Sequence, residues 1–453
     1  MTPVTQSPPP DTNVVELPSA ADGSSTRFVI LGVIVGVAVV VRAVWCFYAA
    51  RLPGGGLHDP NFYYLYGQQL ANGSGYRLLD GAPTAYYPPG YALSLAPFMW
   101  LGYRWPLNTL TSPEVGIVAT LNIVWQAATI ILTFIVTRRL TGRAIAGYVA
   151  AAVLALWPNL IFHTAVALTE SLFLALLLGF LALAVCAPRD DRWERWRIVA
   201  AGAALGAATL VRPVTVPVFP LLLVVFLVAR SGWRRALAQT AAVTGVAALV
   251  LVPWVVRNAI VMDQITLSTN TGDNLCMSRH VGGTGGFEFP NEQCFPSTFD
   301  HLERPEFEIA RDRHGREVAI EFVKEHPGEE LRLVFRRIGA LFTDDADGLF
   351  AVESYGDDPW MADDTRRTLR TTANLYALAA AIAGVVGLVL LLVRRRTPPA
   401  LLVVLAGVGM LIPPIIFFGD PRFHIPAVPV AAVGVGVLVA AVAGGYRPAM
   451  RTT

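Results

Sequence analysis

Lysine is all but missing from this chain. Lys324 is the only one in 453 residues, so positive charge rests on arginine. That bias is associated with GC-rich bacterial genomes and carries no physical argument of its own. Charge of either sign is scarce: charged residues make up 15% of the chain against 54% hydrophobic, with a mean hydropathy of +0.52. So little charge excludes an ordinary soluble domain. A net charge of +2 excludes the electrostatic footprint of a nucleic-acid partner. The four cysteines form no CxxC or CxxH spacing, so none suggests a zinc site. The run Gly282-Gly283-Thr284-Gly285-Gly286 neither follows a strand nor opens a helix. It reads as a flexible stretch and not as a phosphate-binding loop. No basic segment with a small-residue cleavage site precedes Phe28, so the first apolar run reads as a retained span. No internal repeat points to the inverted halves of a transporter.

What the chain does have is apolar runs near the ~20 residues that cross a bilayer. They fall at 28–50, 115–137, 144–162, 168–187, 197–211, 214–230, 236–256, 371–393, 398–418 and 425–444. This predicts an all-α polytopic membrane protein of about ten transmembrane helices. Arginine then sorts to one side: Arg138, Arg139 and Arg143; Arg189, Arg192, Arg195 and Arg197; Arg230, Arg234 and Arg235; Arg394, Arg395 and Arg396; Arg447 and Arg451. By the positive-inside rule that side is cytoplasmic and both termini lie inside. A wrong span count would scatter these clusters. The expected organisation is a disordered cytoplasmic tail at 1–27, a membrane domain at 28–256 with a first outer loop at 51–114, an extracytoplasmic loop domain at 257–370, C-terminal membrane helices at 371–444 and a tail at 445–453.

In the first outer loop, Asn61 to Leu70 reads as a short aromatic helix, and Tyr86-Tyr87-Pro88-Pro89-Gly90-Tyr91 as a rigid turn before an apolar stretch too short to span. In the second, 304–325 has helical periodicity. Leu331 to Phe342 is a basic amphipathic segment that suits a helix on the membrane surface, or equally an ordinary helix packed on the loop. Cys276 and Cys294 share this loop; their spacing permits a disulfide outside the cell without requiring one. Cys46 and Cys186, in or beside spans, read as small hydrophobes.

The span centres are nearly free of ionisable groups. Polar residues gather instead at the outer ends of spans: His58 and Asp59, His163, Glu170, Arg212, Arg257, and the turn Asp420-Pro421-Arg422-Phe423-His424. Each has a plain alternative. An arginine at a helix end snorkels, Asp59 before Pro60 suits a cap, and Glu170 suits the start of its helix. Together they place acids, bases and arginines at headgroup depth. Arginines there can hold a lipid phosphate, a carboxylate can take a proton from a hydroxyl, and Tyr63, Tyr86 and Tyr87 offer flat faces to sugar rings. A conducting protein would need polar residues along its spans.

The segments His58-Asp59-Pro60 with Tyr63-Tyr64, Tyr87-Pro88-Pro89-Gly90-Tyr91, Leu168-Thr169-Glu170-Ser171-Leu172, Arg212-Pro213, Pro253-Trp254-Val255-Val256-Arg257-Asn258, Ser268 to Asn274, His326-Pro327-Gly328 and Gly419 to Pro426 occur in order along the chain. In this order the chain resembles the polyprenyl-phosphate-dependent GT-C glycosyltransferases, in the branch of protein O-mannosyltransferases and lipid A aminoarabinose transferases. The resemblance implies a multi-pass bacterial plasma-membrane enzyme. Its partners would be a polyprenyl-phosphate sugar donor, a glycan, lipid or protein acceptor, and membrane lipids, with no nucleic acid. Asp59 would be the catalytic base, with Glu170 in place of the second acid that many members carry where this chain has His58. His58, Tyr63, Tyr87, His163, Arg212, Arg257, Asn270, Asp420, Arg422 and His424 would contact substrate. No metal ligand set and no certain cofactor is assigned, and the resemblance leaves room for a divalent cation. The competing expectation is a transporter or flippase for a lipid-linked sugar.

Overall fold

The computed structural model describes residues 22–56, 58–104, 112–186, 194–229, 232–288, 292–394 and 397–443. The expected tail residues before Asp22, the tail after Ala443, and Arg189, Arg192, Arg230, Arg395, Arg396, Arg447 and Arg451 lie outside these residues. The described chain is helical, and its only extended pairing is an isolated bridge between Arg77 and Pro83.

The described residues begin with α1 (Asp22–Ala49). The first loop carries α2 (Asp59–Ala71) and α3 (Gly90–Arg104). The bundle continues with α4 (Pro113–Thr141), α5 (Ala144–Ala155), α6 (Pro158–Phe162), α7 (Glu170–Val185), α8 (Arg195–Val211), α9 (Val218–Val228) and α10 (Trp233–Val261). The second loop holds α11 (Thr271–Cys276), α12 (Glu306–Glu325), α13 (Pro327–Leu341) and α14 (Asp347–Ala351). The last helices are α15 (Asp363–Arg394), α16 (Pro398–Met410), α17 (Ile412–Ile416) and α18 (Val428–Val442).

A helix stands at each of the ten expected places. Among the described residues six are long and apolar enough to cross a membrane, or seven when α5 and α6 count as one bent span. The Pro213–Val228 and Glu170–Val185 helices are apolar but shorter. The α5–α6 pair departs from the single helix expected over 144–162: it bends by 58°. Leu156-Trp157-Pro158 causes the break, because Pro158 suits the first turn of a new helix and disfavours helical backbone at Trp157.

A break at this depth frees backbone carbonyls that lipid cannot satisfy. Side chains from two neighbouring helices take them up. Asn122 Nδ2 donates to Val166 O at 2.8 Å and Gln126 Nε2 to Leu160 O at 3.1 Å, both from α4. From α1, Arg42 donates to Ala155 O at 2.7 Å and Leu154 O at 3.4 Å, with Gln126 Oε1 at 3.3 Å. Arg42 is 1% exposed. It corrects the reading of clean span centres. The carbonyls at the end of α5 carry the negative end of that helix dipole and so offset its charge.

α15 and α18 touch backbone to backbone. A Cβ on Gly387 would collide with the Gly434 carbonyl, and one on Gly384 would sit 2.7 Å from Ala431 O. Small residues permit this approach, which supplies the packing that lipid-facing helices need.

Cys276 and Cys294 form a disulfide. It closes 18 residues of the second loop, so Cys276→Ser is expected to lower stability by about 3 kcal/mol through the larger freedom of the unfolded loop. Thermal unfolding of wild type and variant, with and without reductant, checks this: reductant should bring the wild type to the variant's midpoint and leave the variant unmoved. The glycine run at 282–286 is not loose. Gly282 and Gly283 carbonyls accept Arg336, and the Gly285 carbonyl accepts Gly419 N at 2.8 Å.

Candidate active site

Asp59 is the first residue of α2, with Pro60 behind it in the first turn. Its side chain is 30% exposed, and both oxygens are engaged. Oδ1 accepts the Tyr87 hydroxyl at 2.6 Å and Oδ2 accepts Arg422 Nη1 at 2.5 Å. Tyr87 is placed by its own loop: Pro88 and Pro89 stiffen the turn, and Tyr76 OH donates to the Tyr87 carbonyl at 3.0 Å. The rings of Tyr63 and Tyr87 lie 5.3 Å apart and Tyr63 is 5.2 Å from Tyr91. These faces pack on one another, so the aromatic cluster aims a hydroxyl at Asp59 and leaves little of Tyr63 bare.

Glu170 opens α7 and is 1% exposed. Arg422 Nε donates to its Oε1 at 2.5 Å and Nη2 to Oε2 at 3.4 Å, while Arg212 Nη1 donates to the same Oε1. Arg422 therefore bridges Asp59 and Glu170, and Glu170 holds two arginines. A buried carboxylate so paired is a positioning group, because its lone pairs already face fixed donors. Asp420 caps the Pro421–Ala427 3-10 turn by accepting Arg422 N at 2.8 Å.

His163 lies beside Glu170. Its Nδ1 is 3.9 Å from Glu170 Oε2 and its Nε2 is 3.5 Å from Asp347 Oδ2. These separations are ion-pair range without hydrogen-bond geometry, and both ring nitrogens and Asp347 Oδ2 are buried without a hydrogen-bond partner. Gly348 makes the close approach possible, since a Cβ there would sit 2.8 Å from His163 N.

Burial pushes the Asp347 carboxyl well above its ordinary value, with the Asp420 charge adding to the rise. Burial raises Asp420 as well. Stability from an upward-shifted carboxyl is complete below the unfolded value, 3.8, and is lost as pH rises through the folded value. Asp347→Asn is therefore expected to raise the unfolding midpoint of the solubilised protein by on the order of 2 °C at alkaline pH, with no gain near pH 4. A midpoint equal to wild type across the whole range would remove this account.

Two acids absent from the expected site organise it. Asp345 accepts Trp157 Nε1 at 2.7 Å, Asn159 Nδ2 at 3.2 Å and His424 Nε2 at 2.8 Å. His424 Nδ1 faces the Leu341 carbonyl at 2.9 Å. A carbonyl and a carboxylate only accept, so each ring nitrogen donates and His424 is the imidazolium. His424 thus supports the Arg422 turn from behind. Asp347 is the second. The run Asp344-Asp345-Ala346-Asp347, directly after the amphipathic segment, was the available signal.

Three expected residues stand apart. His58 Nε2 pairs with Asp357 Oδ2 at 2.7 Å, away from Asp59's partners. Arg257 donates to Thr84 O at 2.7 Å and Tyr76 O at 2.9 Å and lies over Trp254. It holds the loop that carries Tyr86 and Tyr87. Asn270 Oδ1 accepts Ser268 Oγ at 2.9 Å just before α11. Among the described residues, no group of three or more His, Cys, Asp or Glu side chains is spaced to hold a metal ion. Both Asp59 oxygens already carry donors, so these side chains as placed do not fit a cation site.

The described helices superpose on known membrane proteins. With ArnT from Cupriavidus metallidurans bound to undecaprenyl phosphate the TM-score is 0.53, at 16% identity over 93% of this chain and 60% of that one. With the apo oligosaccharyltransferase of Archaeoglobus fulgidus it is 0.53, at 16% identity over 92% of this chain and 50% of that one. The chain shares the fold of these proteins. AglB from Archaeoglobus fulgidus, in complex with an inhibitory peptide and a dolichol-phosphate, gives 0.51 at 15% identity, over 93% of this chain and 50% of that one. The chain spans between half and three-fifths of the length of these proteins. Residues 85–283 match the model of Glycosyltransferase family 87, a stretch that includes Tyr87, His163, Glu170, Arg212 and Arg257 but neither Asp59 nor the 420–424 turn. No curated protein matches the sequence.

Proposed function

We propose that this protein is a membrane glycosyltransferase that moves a sugar from a polyprenyl-phosphate donor to a hydroxyl acceptor at the outer face of a bacterial plasma membrane. The observation that carries this reading is the joint hold of Arg422 on Asp59 and Glu170, at the helix ends where a lipid phosphate would arrive. The fold shared with ArnT and the family 87 match support it. The reading takes ten crossings with both ends inside, which would set Arg138, Arg139, Arg195, Arg197, Arg234, Arg235 and Arg394 on the cytoplasmic side by the positive-inside rule.

In the free protein both Asp59 oxygens are engaged, one by Tyr87 and one by Arg422. A donor phosphate is a better partner for a guanidinium fork. Its arrival exchanges Asp59 for phosphate on Arg422, with Arg212 adjacent, and leaves Asp59 held by Tyr87 alone. Asp59 then accepts the proton of the acceptor hydroxyl as that oxygen forms its bond to the anomeric carbon. The bond from that carbon to the phosphate oxygen breaks on the opposite face. The products are an inverted glycoside, a lipid phosphate whose charge the arginines take up, and a protonated Asp59. Glu170 holds the two arginines throughout, and no step runs through a cation.

The test is transfer by the purified protein from a panel of radiolabelled polyprenyl-phosphate sugars to envelope acceptors, alongside movement of the same lipids between leaflets. Product with inverted configuration is expected. Movement of lipid-linked sugar with no transfer from any donor would replace this reading with that of a flippase.

A further inference from the structure

Helix α13 has two apolar faces, and only one is covered. Leu333, Arg337 and Leu341 face inward and are buried. Leu331, Phe335, Ile338 and Phe342 follow one another at helical spacing on the other side and are 60%, 67%, 37% and 59% exposed. α13 packs on α17, at the end of the apolar Pro398–Ile416 span, and Ile412 and Ile416 of α17 are themselves 39% and 48% exposed. The stripe is therefore carried by a helix that packs on the end of an apolar candidate span.

The covered face grips the turn that carries Arg422. Arg337 Nη1 donates to Ile415 O at 3.3 Å, and Arg279, itself joined to Arg337 through Glu330, donates to Ile416 O at 2.7 Å. Gly419 passes so close to α13 that a Cβ would collide with the Arg337 carbonyl. Leu341 O accepts His424, and the Phe342 ring stacks on the His424 ring at 5.7 Å. Phe342 thus belongs to the exposed stripe and to the support of Arg422 at once.

We infer that α13 docks on the outer leaflet of the bilayer, with Leu331, Phe335, Ile338 and Phe342 at the boundary of headgroups and acyl chains, and that this docking fixes the turn that presents Arg422. A helix with an apolar stripe seated in that boundary gains the burial its exposed side chains lack in water. The docking stands independently of the glycosyltransferase reading; its effect on Arg422 rests on it.

The experiment uses the full chain in phosphatidylcholine–phosphatidylglycerol vesicles. A spin label at Phe335→Cys, in a Cys46→Ala/Cys186→Ala background, is expected to collide more with oxygen than with a water-soluble nickel chelate. A label at Glu317→Cys on α12 gives the water-exposed reference. A Phe335 label as open to nickel as the Glu317 label overturns the docking, whatever the protein's activity. For the second half, Phe335→Asp is expected to lower transfer about tenfold in vesicles and to match wild type in detergent micelles, which have no leaflet plane. An equal loss in both media, or no loss in vesicles, overturns the coupling to Arg422 and leaves the label result standing on its own. Absence of transfer by wild type in either medium would count against the glycosyltransferase reading, while the labels still decide the docking.

Discussion

Asp59→Asn is expected to lower the transfer rate about 1000-fold, within the range general-base catalysis supplies. The amide keeps the geometry of Asp59 and can still accept the Tyr87 hydroxyl, so the fold should be unchanged. It cannot take the acceptor's proton. It also holds Arg422 more weakly, because the amide carries no charge to pair with the guanidinium. This yields an uncommon pairing of effects. Arg422 leaves the amide more readily than it leaves Asp59, so polyprenyl phosphate should bind the variant several-fold more tightly than wild type while turnover collapses. Titration with the lipid phosphate alone measures the first, and single-turnover transfer the second. Full-rate transfer by Asp59→Asn would remove Asp59 as the base. Weaker phosphate binding would remove the exchange of partners at Arg422.

Arg422→Gln should be the more damaging change. Arg422 contributes to both carboxylates through separate nitrogens. Without it Glu170 keeps Arg212 but loses half its compensation while 1% exposed. Removing one partner of a buried pair costs about 3–5 kcal/mol, so a marked fall in the unfolding midpoint should accompany loss of transfer. Arg422→Lys separates the two roles. One ammonium restores charge but cannot span both carboxylates. The expected result is recovered thermal stability with transfer and lipid-phosphate affinity still at least tenfold below wild type. Full recovery of transfer would mean that charge alone suffices there, and the bridging geometry would lose its role.

The helices were legible because apolar runs depend only on local composition. Their interruptions were less so. Pro158 was visible, but the bend at α5–α6 depends on Asn122, Gln126 and Arg42 reaching the broken backbone from other helices. Hydropathy averaging hides a single arginine in a long apolar run, which is why Arg42 escaped notice. Of the expected site residues, Asp59, Glu170, Arg212, Tyr87, His163 and Arg422 come together, and Asp420 caps the turn they share. Each stands where a helix starts or a turn begins, a position that sequence reveals. His58, Arg257 and Asn270 stand at similar positions, yet their side chains serve loops. Asp345 was out of reach for another reason: its partner Trp157 lies 188 residues away in sequence. A lone acid run in a polar loop does not announce which buried indole and imidazole it will meet.

Arg42 has a consequence for how the chain is made. An arginine near the middle of a span raises the cost of insertion by about 2.5–3.5 kcal/mol. Its partners at Gln126, Leu154 and Ala155 emerge 84, 112 and 113 residues later. At roughly 5–20 residues per second, the first helix waits on the order of 5–20 seconds for them. During that interval its guanidinium must stay at the translocon or near the headgroups. The first helix therefore matures after the three that follow it have been made, locked into place only when the broken helix arrives to receive it.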